Sequence, residues 1–436
     1  MAQDTWRNWA GTHSSTPHRF ETPRSVAELS TLVAQATEQG LRVKAVGAGH
    51  SFTGVAVTDG VLVSLDNICG IESVRQTPEG PVATVLAGTR LRSLNEQLWE
   101  RGLAMINLGD IDVQSIAGAL GTGTHGTGAR FGGLATLIRG LQIVLADGTV
   151  ADCSETENPE LYQAARIGLG AFGIITKLDL AVTSAYALRA VEGPARLDET
   201  LDGLEHDLAT VDHFEFYWFP HTNRVLTKRN TRLPGDTPLE PVSRIRGFLD
   251  DELMSNTLFE GINRITTAFP AAIPQINQIS ARALSARQFV DRSYHVFASP
   301  RRVRFREMEY AVPVETVKDT LREISTWLDR SGCNIAFPVE VRFAPGDDVW
   351  LSTANGRDSA YIAVHQYHRR DHREYFDAVE AIARAVDGRP HWGKMHGRTA
   401  DDLRPTYARF DDFCTVRDKH DPARTFDNAY LRQVLA

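Results

Sequence analysis

The stretch VKAVGAGHSF, Val43 to Phe52, constrains the fold of this chain more than any other. A β-branched run ends in Gly-Ala-Gly, so the strand stops in a turn of small residues whose backbone amides can face an anion. A second loop, ALGTGTHGTG (Ala119–Gly128), repeats the mixture of glycine, threonine and one histidine. Either loop alone reads as a tight turn between packed elements. The pair favours a large diphosphate cofactor laid between them. Two matches to GxGxxG, Gly121–Gly126 and Gly168–Gly173, do not make a dinucleotide-binding Rossmann unit. That unit needs the glycines after a strand and at the start of a helix. Here the first match follows the helical SIAGAL, and the second follows a short helix and enters the strand IITKLDLAV.

Around these loops, the first 184 residues mix helix and strand signals. Ser25 to Glu28 forms a capping box before an apolar stripe at helical spacing, with Gly40 as the stop. LRVKAV, GVLVSL and PVATVLAG read as strands, and LRSLNEQLWERG as a helix. LIRGLQIVLADGTVADC reads as two strands about an Asp147-Gly148 turn. Strands joined partly by helices and partly by hairpins give an α+β domain over 1–184. Residues 185–389 read as a second domain, a sheet backed by helices. Its strands are HFEFYWFP, FREMEYAVP, CNIAFPVEVRF and YIAVHQYH, with a helix at VKDTLREISTWLDRS. The polar TRLPGDTPLEPVS reads as a connection, 245–290 as largely helical, and the tail 390–436 as two short helical stretches.

A net charge of -8 leaves no basic excess to neutralise phosphates, so nucleic acid is not an expected partner. The four cysteines lack CxxC spacing, which suggests neither a metal site nor a disulfide framework, and fits a reducing compartment. No apolar run approaches the ~18 residues of a membrane span. The first residues lack the apolar core of a signal peptide. A cytoplasmic location is expected, with peripheral membrane association left open.

Side-chain alternation marks the chemistry. In FPVEVRF, Glu340 and Arg342 share one strand face, while Val339, Val341 and Phe343 take the other. Two charges on one face of an apolar strand are costly to bury unless paired or functional. An ion pair at a domain seam and a reactive pair are both open. His365 and Tyr367 share a face in YIAVHQYH in the same way.

In order along the chain, VGAGHSF, VTDGVLVSLDNI, GDIDVQSIAGALGTGTHGTG, GAFGIITKLDL, FPVEVRF and HWGKMH resemble the aldonolactone oxidases and dehydrogenases. These are flavoproteins of the vanillyl-alcohol-oxidase (PCMH) type, and the likeness is nearest to the bacterial gulono-1,4-lactone branch. It spans nearly the whole chain. The resemblance implies a two-domain FAD-binding fold, a sheet-plus-helices substrate domain, and a C-terminal segment, 390–436, that returns to the FAD domain. It also implies that Val46, Gly47, Ala48, Gly49, His50, Ser51 and Phe52 wrap the FAD, with His50 bonded covalently to the flavin. Asp110, Ser115, Gly118, Thr122, Gly123, Thr124, His125 and Ile174 would line the cofactor.

On the same basis, Asp110, Glu340, Arg342, Tyr367 and His391 are expected to bind substrate. Arg342 and Lys394 would stabilise charge, Glu340 would orient hydroxyls, and His391 or His365 would take the proton. The implied reaction is hydride transfer from the 2-hydroxyl carbon of a gulono-, galactono- or arabinono-1,4-lactone to flavin N5. It gives an ascorbate-like product, with O2, a cytochrome or a dye as electron acceptor. Alditol oxidases, acting on xylitol or sorbitol, are the alternative. They carry serine where this chain has Asp110 and threonine where it has Tyr367, which favours the lactone.

Overall fold

The computed structural model describes residues 5–242, 259–299 and 303–436. Three short parallel strands pair in the order Arg19–Glu21, Val61–Ser64, Val43–Val46. The helix Val26–Glu38 covers them, burying Leu29, Val33 and Ala36. Its cap differs in one detail from a reciprocal box: Ser25 Oγ accepts from Glu28 N, but the Glu28 carboxylate takes Arg24 N. An antiparallel sheet follows, in the order Val150–Cys153, Ile138–Val144, Ile174–Ser184, Gly80–Leu86, Ile71–Thr77. Gly148, at φ 84, makes the turn between the first two.

The second region is an eight-stranded antiparallel sheet. Its order is Arg287–Arg292, Tyr186–Ala195, Val225–Pro234, His213–Trp218, Val339–Ala344, Ser359–Tyr367, Phe305–Pro313, Arg389–Pro390. The helix Val317–Ser331 lays Val317, Leu321, Ile324 and Leu328 on one face of this sheet, against Val339, Val341 and Phe343. It ends at Gly332, whose left-handed φ of 69 suits glycine. The opposite sheet face carries the polar alternates.

Three expectations need correction. The connection TRLPGDTPLEPVS begins as strand, because Val225–Pro234 pairs along its whole length with Tyr186–Ala195. Arg232 is held there between the rings of Phe131 and Tyr186, at 3.7 and 4.4 Å, so a charged residue sits comfortably in the ladder. Within 245–290, the helices Phe259–Ala268 and Ile273–Ala283 are present, but Arg287–Arg292 is an edge strand. Residues 245–258 of that stretch lie outside the described residues. The tail holds three α-helices, Ala400–Leu403, Phe410–His420 and Ala429–Leu435.

The tail is tied to the first region by one main-chain bond and a side-chain amide. Val43 N donates to Thr425 O, and Asn428 Nδ2 donates to the carbonyls of Gly54, Val55 and Val57. Among the described residues, no helix is long and apolar enough to cross a membrane.

Candidate active site

Two clefts meet at His50. The first encloses about 1230 Å³, its open mouth included. Val46 through Ser51 line it, with Ser115, Gly118, Thr122 and Ile174. The second holds Phe52, Asp110, Thr124, His125, Arg342, His391 and Lys394. His50, Ser51, Gln114 and Thr122 line both.

The first cleft fits a nucleotide diphosphate. A Cβ on Gly47 would come within 2.2 Å of Ser115 Oγ, and one on Gly173 within 2.3 Å of Val144 O, so the chain passes too closely for any side chain. Gly49 holds φ 67. Among the described residues, the N–H groups of Ala48, Gly49, His50 and Ser51 have no protein acceptor, the pattern of an anion nest. Gln114 Oε1, buried between the clefts, also lacks a partner there. These residues would hold the diphosphate and ring of FAD. Lys44, which the sequence did not single out, seals the floor. Its Nζ donates to the carbonyls of Gly170 and Phe426, each at 3.1 Å. Burial, helped by the Arg417 charge, pulls this amine down to about 7 against the pull of Asp427 and Asp421.

His50 stacks on Trp9, with ring centroids 5.1 Å apart and planes 19° from parallel. Burial, then the charges of Lys394 and Arg90, push its imidazole down to about 4, only partly opposed by Asp110. The ring is therefore neutral at pH 7.

In the second cleft, Arg342 is the centre of charge. Its Nε donates to Glu215 at 2.9 Å, and its Nη2 pairs with Glu340 and lies 3.5 Å from Asp110. Lys228 sits 3.3 Å from Glu215, and Tyr217 Oη donates to Glu340 at 2.9 Å. Arg342 is held well above its usual range because these carboxylates outweigh its desolvation. Glu340 meets the expectation of a shared face but lines neither cleft; it acts on the cleft through Arg342.

The loop His391–Lys394 is stitched onto the strand Phe305–Pro313. His391 N donates to Glu309 O, and Met395 N to Glu307 O. That brings Lys394 Nζ to 2.5 Å from Glu307 Oε2, with Phe52 beneath it. Lys394 is a half-buried, ion-paired residue rather than a solvated one. Burial favours neutral Glu307, but Lys394 and the neighbouring His365 outweigh it and hold the carboxyl at about 2.

The histidines divide by hydrogen bonding. His391 Nδ1 accepts from Gly393 N at 3.0 Å. Burial, opposed by Glu309 and assisted by Lys394, brings this ring down to about 4, so it is neutral with its proton on Nε2. It can donate to a ligand but is not the proton acceptor expected of it. His125 faces Gly126 O with Nδ1 at 2.9 Å and Glu309 with Nε2 at 2.8 Å, beneath the ring of Tyr361 at 3.6 Å. His125, Glu309 and His391 lie close enough to suggest a metal. Yet the Nδ1 lone pair of His391 is already engaged and its Nε2 carries a proton, so it offers no lone pair to a cation.

Besides Glu340, three expected residues stand back from both clefts. Tyr367 packs behind Phe52 and Phe305 and gives its hydroxyl to Glu260 at 2.6 Å, so it is not a substrate contact. His365 lies behind Glu307. Gly123, with φ 77, lines neither cleft, and a Cβ there would point at Ile167, 3.3 Å away.

An FAD binding domain model matches residues 17–154. A crystal structure of cholesterol oxidase from B. sterolicum superposes with a TM-score of 0.81, covering 99% of this chain and 96% of that one at 17% identity. Fold and site define an FAD-dependent oxidoreductase acting on CH–OH groups, with the two-domain vanillyl-alcohol-oxidase type of fold. More narrowly, the D-arabinono-1,4-lactone oxidase model matches residues 178–434, and the chain belongs to that family. It is 42% identical to an L-gulono-1,4-lactone dehydrogenase of Mycobacterium tuberculosis over 99% of both chains. To an L-gulonolactone oxidase of Bos taurus it is 35% identical, over 99% of this chain and 98% of that one.

Proposed function

We propose that the protein oxidises an aldono-1,4-lactone at its 2-hydroxyl, giving an ascorbate-like enediol. The observation that carries this reading is the second cleft, where Arg342, Lys394 and the Nε2–H of His391 converge beside His50. Bound FAD supplies the two-electron acceptor. The side chains do the rest: Arg342, held by Glu215 and Glu340, faces the substrate oxygens as a fixed donor. Lys394 places a positive charge where negative charge develops, the logic of an oxyanion hole. His391 donates from Nε2.

The preference for lactone over polyol rests on Asp110 next to Arg342, since Tyr367 stands behind the wall. His50 is the proposed point of covalent attachment, because a neutral imidazole with no protein hydrogen bond to its ring among the described residues is available as a nucleophile. The proposed division of the chain is 1–184 for FAD, 185–389 for substrate and 390–436 as the returning segment. Gulono-, galactono- and arabinono-1,4-lactones, assayed beside xylitol and sorbitol with both oxygen and an artificial dye, test the substrate and acceptor together. Turnover of polyols alone would overturn the lactone reading.

A further inference from the structure

The oxidation of a carbinol releases a proton from its hydroxyl, and the residue that receives it is legible in two carboxylate–histidine pairs. Glu307 and Glu309 project from alternate positions of one strand to the same side and line the second cleft. Each is backed by a histidine whose Nδ1 faces a backbone carbonyl, Gly126 O for His125 and Pro338 O for His365. In both rings Nδ1 is therefore the proton donor, and Nε2 faces the carboxylate. The spacings differ. His125 Nε2 lies 2.8 Å from Glu309, the length of a charge-assisted hydrogen bond, so a proton already bridges that pair. His365 Nε2 lies 3.5 Å from Glu307 Oε1, too far for such a bond. With Nδ1 bearing a ring proton, the neutral ring presents its Nε2 lone pair to Glu307 across that gap, and the protonated ring presents a second N–H.

We propose that Glu307 is the catalytic base, taking the substrate hydroxyl proton and passing it to His365. The substrate O–H bond breaks as its C–H electron pair leaves in the two-electron oxidation that defines the enzyme. The proton binds Glu307 Oε1 and moves to His365 Nε2, while Oε2 stays on Lys394. The products are a ketone and an imidazolium–carboxylate pair, so the local charge rises by one, matching the proton gained. The ammonium of Lys394 makes Glu307 alone a weak resting place, and His365 Nε2, 3.5 Å from Oε1, stands next in line. Glu309 does not compete, because its partner is already protonated, and His391 does not, because its Nε2 carries a proton. His365 acts through Glu307 and is a positioning residue that stores the proton.

This inference rests on the lactone reading, and the test separates the two. Holoenzyme with 15N-labelled histidine, with the His365 signals assigned by H365Q, should show one protonated and one lone-pair ring nitrogen at pH 7.5. Anaerobic flavin reduction by lactone in E307Q should slow at least about 100-fold, as for loss of a general base, with lactone affinity changed less than about threefold. E307D, which keeps the carboxylate, should recover part of the rate, and H365Q should slow reduction while retaining full flavin. If no lactone reduces the wild type, the substrate reading fails. If lactone reduces wild type and E307Q equally fast, or His365 is doubly protonated at rest, the base assignment alone is overturned. Should E307Q lose its flavin, E307D and the wild-type nitrogen signals decide.

Discussion

Replacing Lys394 by methionine keeps much of the side-chain volume and removes the charge that holds Glu307 ionised. The Glu307 carboxyl moves from 4.5 to about 2 on folding, with burial opposing and Lys394 leading the causes in favour. At 1.36 kcal/mol per pH unit, its ionised form holds about 3 kcal/mol of favourable interaction. Breaking a buried pair typically costs about 3–5 kcal/mol, in agreement. The mutant has one escape, which is to protonate Glu307. Keeping neutral a carboxyl of ordinary value near 4.3 costs roughly 4 kcal/mol at pH 7 and roughly 1 kcal/mol at pH 5. In the mutant, Glu307 is thus raised above its unfolded value, so its stabilising contribution is present below about 4.3 and is lost as pH rises. In the wild type it is depressed, and its contribution is lost as pH falls from about 4.3 toward 2.

The expected result is a K394M holoenzyme less stable than wild type at both pH values, with a deficit about 3 kcal/mol larger at pH 7 than at pH 5. Urea unfolding at fixed flavin concentration, followed by tryptophan fluorescence at both pH values, measures this. E307Q in the K394M background should restore most of the loss at pH 7. A K394M penalty under 1 kcal/mol at pH 7, or one that does not change with pH, would refute the pairing argument.

Three further outcomes follow from the site. Flavin should remain with the acid-precipitated wild-type polypeptide and be released from H50A, as absorbance of the supernatant will show; release from wild type removes the covalent link and leaves FAD binding intact. Lactones should exceed xylitol and sorbitol by at least roughly tenfold in kcat/KM, about 1.4 kcal/mol of transition-state preference, and D110S should narrow that ratio. R342M leaves Asp110, Glu215 and Glu340 facing one another with Lys228 as the nearest cation. We expect at least about a 100-fold loss of kcat together with a lower melting temperature, and a variant with wild-type kcat would show Arg342 to be structural alone.

Much of this site is written in a single period. Glu215 and Tyr217, Glu340 and Arg342, His365 and Tyr367, and Glu307 and Glu309 all stand at alternate positions of their strands. Alternation assigns each pair to one sheet face, and the reading of FPVEVRF used it. The same pattern in FREMEYAVP and HFEFYWFP passed as ordinary strand, because strand order is not sequential: His213–Trp218 joins Val339–Ala344, then Ser359–Tyr367, then Phe305–Pro313. Only that neighbourhood turns scattered carboxylates into one cluster. Tyr367 failed for a related reason, since a shared face does not say that Phe52 and Phe305 stand in front. Trp9 lies in an N-terminal segment without periodicity, so its stacking on His50 left no signal. The glycine loops were legible because backbone approach restricts the residue type directly, as at Gly47 and Gly49.

The central claim is oxidation of a sugar lactone by bound FAD, and anaerobic titration of the holoenzyme tests it most directly. Adding L-gulono-, L-galactono- and D-arabinono-1,4-lactone in turn, without any acceptor, should bleach the flavin band with one of them at one equivalent per flavin. Titration with xylitol should leave the band largely intact over the same range. Bleaching by xylitol while all three lactones leave the flavin oxidised would contradict the account.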